Sequence, residues 1–194
     1  MRTTSSRLTI WFAAAALAAG LPAVLMARVK VEVNYDKKFD FKPARTWAWS
    51  PSGAGQIMMA RTADDDKEAA RKMAEPIILE GVASELAKRG LTAATGQPDL
   101  TVTYYLLLTS GVNAQYMGQF LSATPEWGLP PFPPATQSFK ATNNGALVID
   151  FNANNDIVWR GVAQAQLDIG IDLKKREAVL REGIRDLIKR FPPK

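Results

Sequence analysis

The stretch that decides the fold is residues 99–109, DLTVTYYLLLT. Every second residue from Leu100 to Leu108 is apolar, which places these side chains on one face of a long strand. The apolar face of such a strand has to be buried against another layer of the domain. The rest of the chain must therefore supply the strands that pair with this strand and the elements that cover it.

Two amphipathic helices are predicted to supply the covering layer. The first begins at Asp64-Asp65-Asp66, where carboxylates suit a helix N-terminus, and runs to about Arg89 before Gly90. Pro76 within it indicates either a kink or a restart, and the sequence leaves both open. The second begins at Asp172 and carries apolar residues on one side and many lysines and arginines on the other.

The remaining segments predict further strands, and together they give an α+β fold. Strands are expected near residues 29–35, 45–49, 147–151 and 157–163, with Pro51, Gly53 and Gly55 ending the second and a turn at Asn152 to Asp156. We expect a two-layer sandwich: a mainly antiparallel sheet of about five strands with both helices on one face. The other face is then exposed, and we place on it Thr101, Thr103, Tyr105, Arg160, Gln164 and Gln166.

The composition excludes several chemistries. The 194 residues include no cysteine and no histidine, so disulfides, Ser–His–Asp triads, Cys–His nucleophiles and the common zinc sites are ruled out. The formal net charge is +5, without the dense basic and aromatic face typical of nucleic-acid binding. We therefore predict no cofactor, no metal, no catalytic residue and no nucleic-acid partner.

The N-terminus predicts export. Arg2 and Arg7 precede an apolar run from Leu8 to Ala27, which is typical of a secretory signal peptide. The helix breakers Gly20 and Pro22 favour cleavage after Ala27, or alternatively after Ala23. Residues 1–27 are then a signal peptide and 28–194 a single domain in the periplasm. The alternative is an uncleaved membrane anchor, because about 20 apolar residues can just span a bilayer.

The connection at residues 110–142 is the candidate interaction loop. It is too long for an ordinary link in a compact domain, and it is rich in proline and aromatic residues with only Glu126 and Lys140 charged. Two interpretations stay open: the loop packs on its own domain, or it offers a surface to another envelope protein or a second copy of the chain. The candidate contact residues are Tyr116, Met117, Phe120, Trp127 and Phe132.

Several short motifs in order resemble a known family. They are VEVNYD at 31–36, RTWAW at 45–49, KRGL at 88–91, PDLTV at 98–102, GALVID at 145–150, IVWRG at 157–161 and FPP at 191–193. Together they resemble domain-of-unknown-function family 4136, a family of bacterial envelope lipoproteins. The resemblance implies an envelope location and an α+β fold, and it carries over no catalytic residue. This chain differs from the lipoprotein members in having no cysteine to acylate.

Other features allow a functional and a structural interpretation. Trp47, Trp49 and Trp159 could form a stacking platform, but core packing is favoured because such rings bury large areas. Arg160 could bind an anion, but an exposed strand arginine is favoured. Asp64-Asp65-Asp66 lacks the spacing of a calcium loop, so capping is favoured. The basic face of the last helix could meet anionic lipid, but solvated i,i+4 pairs, Glu177–Arg181 and Asp186–Arg190, are favoured.

Three classes of function follow. The first is a non-enzymatic binding or scaffolding module of the envelope. The second is a protein held at the membrane surface by its basic last helix or by an uncleaved leader. The third, which we disfavour, is a hydrolase using a carboxylate pair drawn from Asp150, Asp156, Asp168 and Asp172.

Overall fold

The computed structural model describes residues 29–60, 66–109, 145–166 and 172–192, which form seven strands and two helices. In chain order these elements are β1 (Lys30–Tyr35), β2 (Thr46–Trp49), β3 (Gly55–Ala60), α1 (Lys67–Lys88), β4 (Thr92–Ala93), β5 (Leu100–Thr109), β6 (Gly145–Ala153), β7 (Asp156–Ala165) and α2 (Leu173–Ile188). All the strands belong to one sheet, and the helices pack on one of its faces.

The sheet is mixed, which corrects the prediction of about five mainly antiparallel strands. Its order is β1-β7-β6-β5-β2-β4, and the pairs formed by β1, β7, β6 and β5 are antiparallel. Along its other edge β5 has two parallel neighbours, β2 beside Leu100–Val102 and β3 beside Tyr104–Thr109. The α+β class and the single helical layer are confirmed.

Strand β3, which was not predicted from the sequence, explains why half of the sheet is parallel. Its sequence, GQIMMA, does not alternate, and Gly55 looked like the end of the preceding strand. Gly55 is instead required at its position, because a Cβ there would lie 2.4 Å from the Tyr104 ring. Since α1 carries the chain back between β3 and β5, both strands run in the same direction.

The predicted hairpin is confirmed. Asn154 and Asn155 connect β6 to β7 with φ angles of 52° and 69°. A two-residue turn with positive φ at both positions matches the twist of the flanking strands, and asparagine tolerates that conformation better than most residues. The hairpin sets the register that places Asp150 opposite Arg160.

Both helices begin at an aspartate cap. The side chain of Asp66 accepts hydrogen bonds from the backbone N–H groups of Glu68 (2.9 Å) and Ala69 (3.0 Å), and that of Asp172 accepts from Lys175 (2.9 Å). Capping by Asp66 is confirmed, while Asp64 and Asp65 lie outside the described residues. Pro76 stands inside one helix from Lys67 to Lys88, so of the two alternatives left open the restart does not occur.

The main core lies between the helices and the sheet. Val102, Leu106, Ile149, Ile184 and Leu187 all belong to one buried cluster, as expected of a two-layer sandwich. The cluster also contains Phe191, whose ring stacks on Phe151 with centroids 4.1 Å apart and meets Trp159 edge-on at 5.5 Å. Aromatic packing therefore anchors the segment that follows α2.

The tryptophans belong to this core. Trp47 is 3% exposed and Trp159 fully buried, so core packing is confirmed over a stacking platform. Trp49 is half-buried and meets Trp47 edge-on, with the ring centroids 5.4 Å apart.

The predicted ion pairs on α2 are half right. Arg181 donates to Glu177 at 2.9 Å, as expected. Asp186 is instead contacted by Arg185 at 3.4 Å, and Arg190 donates to the backbone carbonyl oxygen of Val31 at 2.9 Å. The reason is that the chain leaves α2 after Ile188, which turns Arg190 toward the edge strand β1.

Replacing Leu187 by Ala tests the layer arrangement. Leu187 is fully buried between α2 and the sheet, so Leu187→Ala should lower the free energy of unfolding by about 2–5 kcal/mol. The matched control is Leu173→Ala on the same helix, because Leu173 is 65% exposed. That change should cost less than about 0.5 kcal/mol in chemical denaturation. Equal losses for the two variants would contradict the packing of α2 on the sheet.

Candidate functional site

The described part of the domain has an apolar cleft at the end where both helices begin. The cleft has a volume of about 520 Å³ and lies between the first turns of α1 and α2 and the adjoining ends of β5, β6 and β7. Its walls include Met73 of α1, Leu180 of α2, and Leu106, Leu108 and Leu147 of the sheet. Cavities of this size with mostly apolar walls are typical of small-molecule sites.

The cleft exists because the helices touch the sheet and each other further along their length. A Cβ on Gly81 of α1 would lie 3.1 Å from the Ile184 side chain of α2, and one on Gly183 would lie 3.2 Å from Ala163 of β7. Toward the helix starts the wall residues are small, so the space is left unfilled. These small residues are Ala69, Ala70, Ala74, Gly145, Ala146, Ala163 and Ala165.

Charge is confined to the rim of the cleft. Of the wall residues that the structure describes, only Asp66 and Arg176 are charged. Asp66 caps α1. Leu173, Lys174 and Lys175 open α2 beside Arg176, and all four side chains are exposed.

The predicted interaction loop adjoins this cleft in the chain but lies outside the described residues. Its candidate contacts, Tyr116, Met117, Phe120, Trp127 and Phe132, therefore stay a prediction. The chain leaves the described structure just after β5 and re-enters at Gly145, and the neighbouring residues Leu108 and Gly145 both line the cleft. Val29, the first residue that the structure describes, lines it as well.

Sequence reasoning did not find the cleft. A signal was present in α1, where Ala70, Met73 and Ala74 share a helix face without filling it with large side chains. A second was present in α2, whose first turn contains basic residues and no acidic one. Cations are disfavoured at that position by the helix dipole.

A second depression lies at the opposite end of the helices. It has a volume of about 680 Å³ and is walled by Tyr35, Phe39, Phe41 and Phe191, with Arg45 and Arg89 among its charged residues. The rings pack edge-on against one another. The ring centroid of Phe41 lies 4.8 Å from that of Phe39 and 5.7 Å from that of Phe191. This packing accounts for the aromatic residues structurally.

The face of the sheet away from the helices carries a buried ion pair. Arg160 donates from Nε to Asp150 Oδ1 at 2.7 Å and from Nη2 to Oδ2 at 2.6 Å. Asp150 is 1% exposed and Arg160 6%, so the prediction of an exposed strand arginine was wrong. Burial raises the pKa of the Asp150 carboxyl, and the Arg160 guanidinium opposes that shift.

This second face is more buried than predicted. Tyr105 and Gln164 were expected to be exposed, but they are 9% and 3% exposed. Thr101 and Thr103 are half-buried, and Gln166 is exposed as predicted. The same face carries a second apolar cluster, which among the described residues contains no helix residue and consists of Tyr105, Leu107, Ala146, Val148 and Val162 with Met58 against it.

The carboxylates considered for hydrolysis do not converge. Asp150 is engaged by Arg160, and Asp172 caps α2. Asp156 begins β7 and Asp172 follows its other end, and a strand of ten residues is about 30 Å long. Asp168 lies outside the described residues. Within the described ranges, no group of three or more acidic side chains could hold a metal ion.

A polar contact inside the main core ties α1 to β5. The hydroxyl of Tyr104 donates to Glu75 Oε1 at 2.9 Å, and Arg71 Nε donates to Glu75 Oε2 at 3.0 Å. The Arg71 hydrogen bond holds the pKa of Glu75 below its ordinary value, while burial raises the pKa of Tyr104. A carboxylate paired in this way serves the packing of the helix.

Residues 31–193 match the family described as "Domain of unknown function (DUF4136)". The chain belongs to this family. The match covers most of the chain, so the resemblance inferred from the short motifs is confirmed. None of the curated proteins matched the sequence significantly.

The fold of this chain is shared by a solved member of the DUF4136 family, and two further solved structures are similar at lower TM-scores. A DUF4136 family protein from Bacteroides thetaiotaomicron is 16% identical with a TM-score of 0.52, and the match covers 84% of this chain and 96% of that one. A PDZ domain protein from Parabacteroides distasonis is 14% identical with a TM-score of 0.47, covering 89% and 38% respectively. A PelC dodecamer from Paraburkholderia phytofirmans is 8% identical with a TM-score of 0.35, covering 83% and 95%.

Removing one partner of the buried ion pair should destabilise the DUF4136 domain strongly. Asp150→Asn leaves the Arg160 cation buried without its carboxylate, and the free energy of unfolding should fall by about 3–5 kcal/mol. The double variant Asp150→Asn/Arg160→Met removes the uncompensated charge and should lose clearly less. Chemical denaturation of both variants checks this. A double variant as unstable as the single one would show that the pair is not coupled.

Proposed function

We propose that this DUF4136 protein is an exported, non-enzymatic binding module of the bacterial cell envelope. Its interaction surface is the end of the domain where the apolar cleft opens. The observation that carries the proposal is the cleft itself, about 520 Å³ in volume and lined almost entirely by apolar side chains. Such a cleft suits binding of an apolar group of a ligand or partner. It offers few polar side chains that could orient a substrate for a reaction.

Export is supported by the leader. The basic start at Arg2 and Arg7 and the apolar run from Leu8 to Ala27 are typical of a signal peptide, with residues 28–194 as the mature domain. None of the helices in the described part of the chain is long and apolar enough to cross a membrane.

The absence of enzymatic activity is supported by the chemistry of the described side chains. The sequence contains no histidine or cysteine to act as base or nucleophile. The buried carboxylate Asp150 is neutralised by Arg160, and Asp172 serves as a helix cap. A carboxylate pair across a substrate is therefore not provided by these residues.

The position of the cleft supports two roles, which are contact with the membrane surface and binding of a protein partner. Val29 lines the cleft, so the mouth lies directly after the leader in the chain. The loop at residues 110–142 also joins the domain there, and it would present Tyr116 and Trp127 to another envelope protein or a second copy. Both roles use the same end of the domain.

Export predicts a shortened N-terminus. When the full chain is produced in a Gram-negative host, the periplasmic protein should begin near Arg28, because the signal peptidase cuts after small residues that follow an apolar run. N-terminal sequencing of the periplasmic fraction measures this directly. A chain that starts at Met1 and sediments with membranes would show that the leader is retained as an anchor.

Filling the cleft should abolish binding of an apolar probe. Ala70→Phe places a ring into the space beside Met73, whereas Ala87→Phe adds the same ring at an exposed position of the same helix. Fluorescence of N-phenyl-1-naphthylamine should rise with the wild-type protein and with Ala87→Phe, and it should fall several-fold with Ala70→Phe. Equal fluorescence of the three proteins would place the apolar site elsewhere.

A further inference from the structure

The second face of the sheet, which carries Asp150 and Arg160, is buried although both helices lie on the other face. Val148 at its centre is fully buried, and Leu107 and Val162 beside it are nearly so. Among the described residues, the apolar cluster on this face consists of strand side chains alone. Side chains on a sheet stand roughly perpendicular to it, so they shield one another from the side and leave their tips exposed. Burial this deep therefore requires a further layer above them.

That layer belongs to the same chain. The exposures are those of a single protein chain, so the atoms that cover Val148 come from this chain and not from a partner. Two segments outside the described ranges are long enough to form a layer. They are the leader and residues 110–144, which connect β5 to β6 and contain the candidate interaction loop. The extent of the burial distinguishes between these two segments.

Burial of the second face is deepest at the end of the sheet where residues 110–144 begin and end. Along β5 the side chains on this face change from half-buried at Thr103 to buried at Leu107. The chain leaves the described structure just after this point and re-enters at Gly145, whose register partner on β5 is Leu108. The segment therefore departs and returns at the same place, directly beside the most deeply buried part of the face.

Burial stops at the borders of the second face. Lys30, Glu32 and Asn34 of β1 lie opposite residues of β7 on this face, and all three are exposed. Gln56 of β3, on the other side, is exposed as well. The leader joins the domain at Val29, so its shortest path to the centre of the face crosses β1. Exposed side chains along β1 therefore favour the segment between β5 and β6 as the covering layer.

The composition of the candidate interaction loop suits an apolar surface. Only Glu126 and Lys140 are charged. An extended segment of this kind would present a large apolar patch to solvent, which soluble domains rarely do. The second face offers a place where these side chains are buried within the same chain. The large apolar side chains of the loop include Tyr116, Met117, Phe120, Trp127 and Phe132.

The buried polar groups of the second face suit a segment that contains prolines. An arginine side chain has more N–H donors than the two that Arg160 gives to Asp150. Arg160 makes a further interaction, and the buried Gln164 makes one as well. The run from Pro130 to Pro134 offers backbone carbonyl acceptors, and its prolines add no N–H donors that would need partners of their own.

From these observations we propose that the second face of the sheet is the docking surface for residues 110–142 of the same chain, with their apolar side chains on the cluster around Val148 and their backbone acceptors near Arg160 and Gln164. The proposal goes beyond the proposed function and concerns a surface separate from the cleft. Aromatic side chains that pack on their own sheet are withdrawn from partners, which leaves the cleft as the surface for binding.

Thiol accessibility tests the proposal, because the chain has no cysteine of its own. Val148→Cys and Val102→Cys are matched variants, since both valines are fully buried and they lie on opposite faces of the sheet. Both thiols should react slowly with a maleimide in the full chain. When a short glycine–serine linker replaces residues 116–134, Val148→Cys should react roughly tenfold or more faster, while Val102→Cys stays protected by the helices. Unchanged protection of Val148→Cys would overturn the proposal.

A second measurement keeps the segment intact, so it decides the question even where the shortened chain does not fold. The photoreactive residue p-benzoylphenylalanine replaces Trp127 or Phe132 in the full chain. After irradiation, mass spectrometry should locate crosslinks within one molecule, on peptides that contain Leu107, Val148 or Val162. Crosslinks to α1 or α2, or between two molecules, would contradict docking on the second face.

The cleft is followed separately in the same proteins through the fluorescence of N-phenyl-1-naphthylamine. Retained fluorescence with crosslinks away from the second face would overturn the docking proposal and leave the proposed function standing. Crosslinks on the second face without probe binding would support docking and contradict the proposed function. The two proposals therefore fail on different readouts.

Discussion

The structure depends on the close contact of α2 with the sheet at Gly161. A Cβ at this position would lie 2.2 Å from the Trp159 ring and 2.7 Å from Leu187 Cδ2, so only glycine lets the indole and the leucine fill the same layer. Trp159 then packs on Phe151 and Phe191, which fixes the end of α2. The cleft lies toward the first turns of the helices, where the wall residues are small.

The sequence predicts most of the elements but not the way in which they are joined. Alternation from Leu100 to Leu108 and the asparagine turn identify β5 and the β6–β7 hairpin correctly. β3 was not predicted because its residues do not alternate between apolar and polar. Its parallel pairing with β5 depends on the path that the chain takes through α1. Arg160 was misplaced for a related reason: a period of two separates the faces of a strand without telling whether the second face is covered. The candidate site was not predicted, because the small residues that leave its space unfilled come from α1, β6 and β7, which are far apart in the sequence and meet only in the folded domain.

The start of α2 departs from the charge preference of a helix N-terminus. A helix is best stabilised by acidic residues in its first turn, and the cap Asp172 follows that rule while the next cations do not. The start of α1 has the cap Asp66 together with Glu68. Local departures of this kind from the preferences of the fold are expected at functional sites.

The contact between Arg190 and Val31 has a consequence for assembly. β1 pairs only with β7 among the described strands, so its outer side has unpaired backbone groups of the kind that recruit strands from other chains. Arg190 occupies one of these acceptors from the end of α2, and the charged side chains of Lys30 and Glu32 alternate along the same strand. This border of the sheet is thereby protected against continuous β-pairing between molecules. A sheet with an open edge has to be kept from pairing with its neighbours, and here a single guanidinium contributes to that separation.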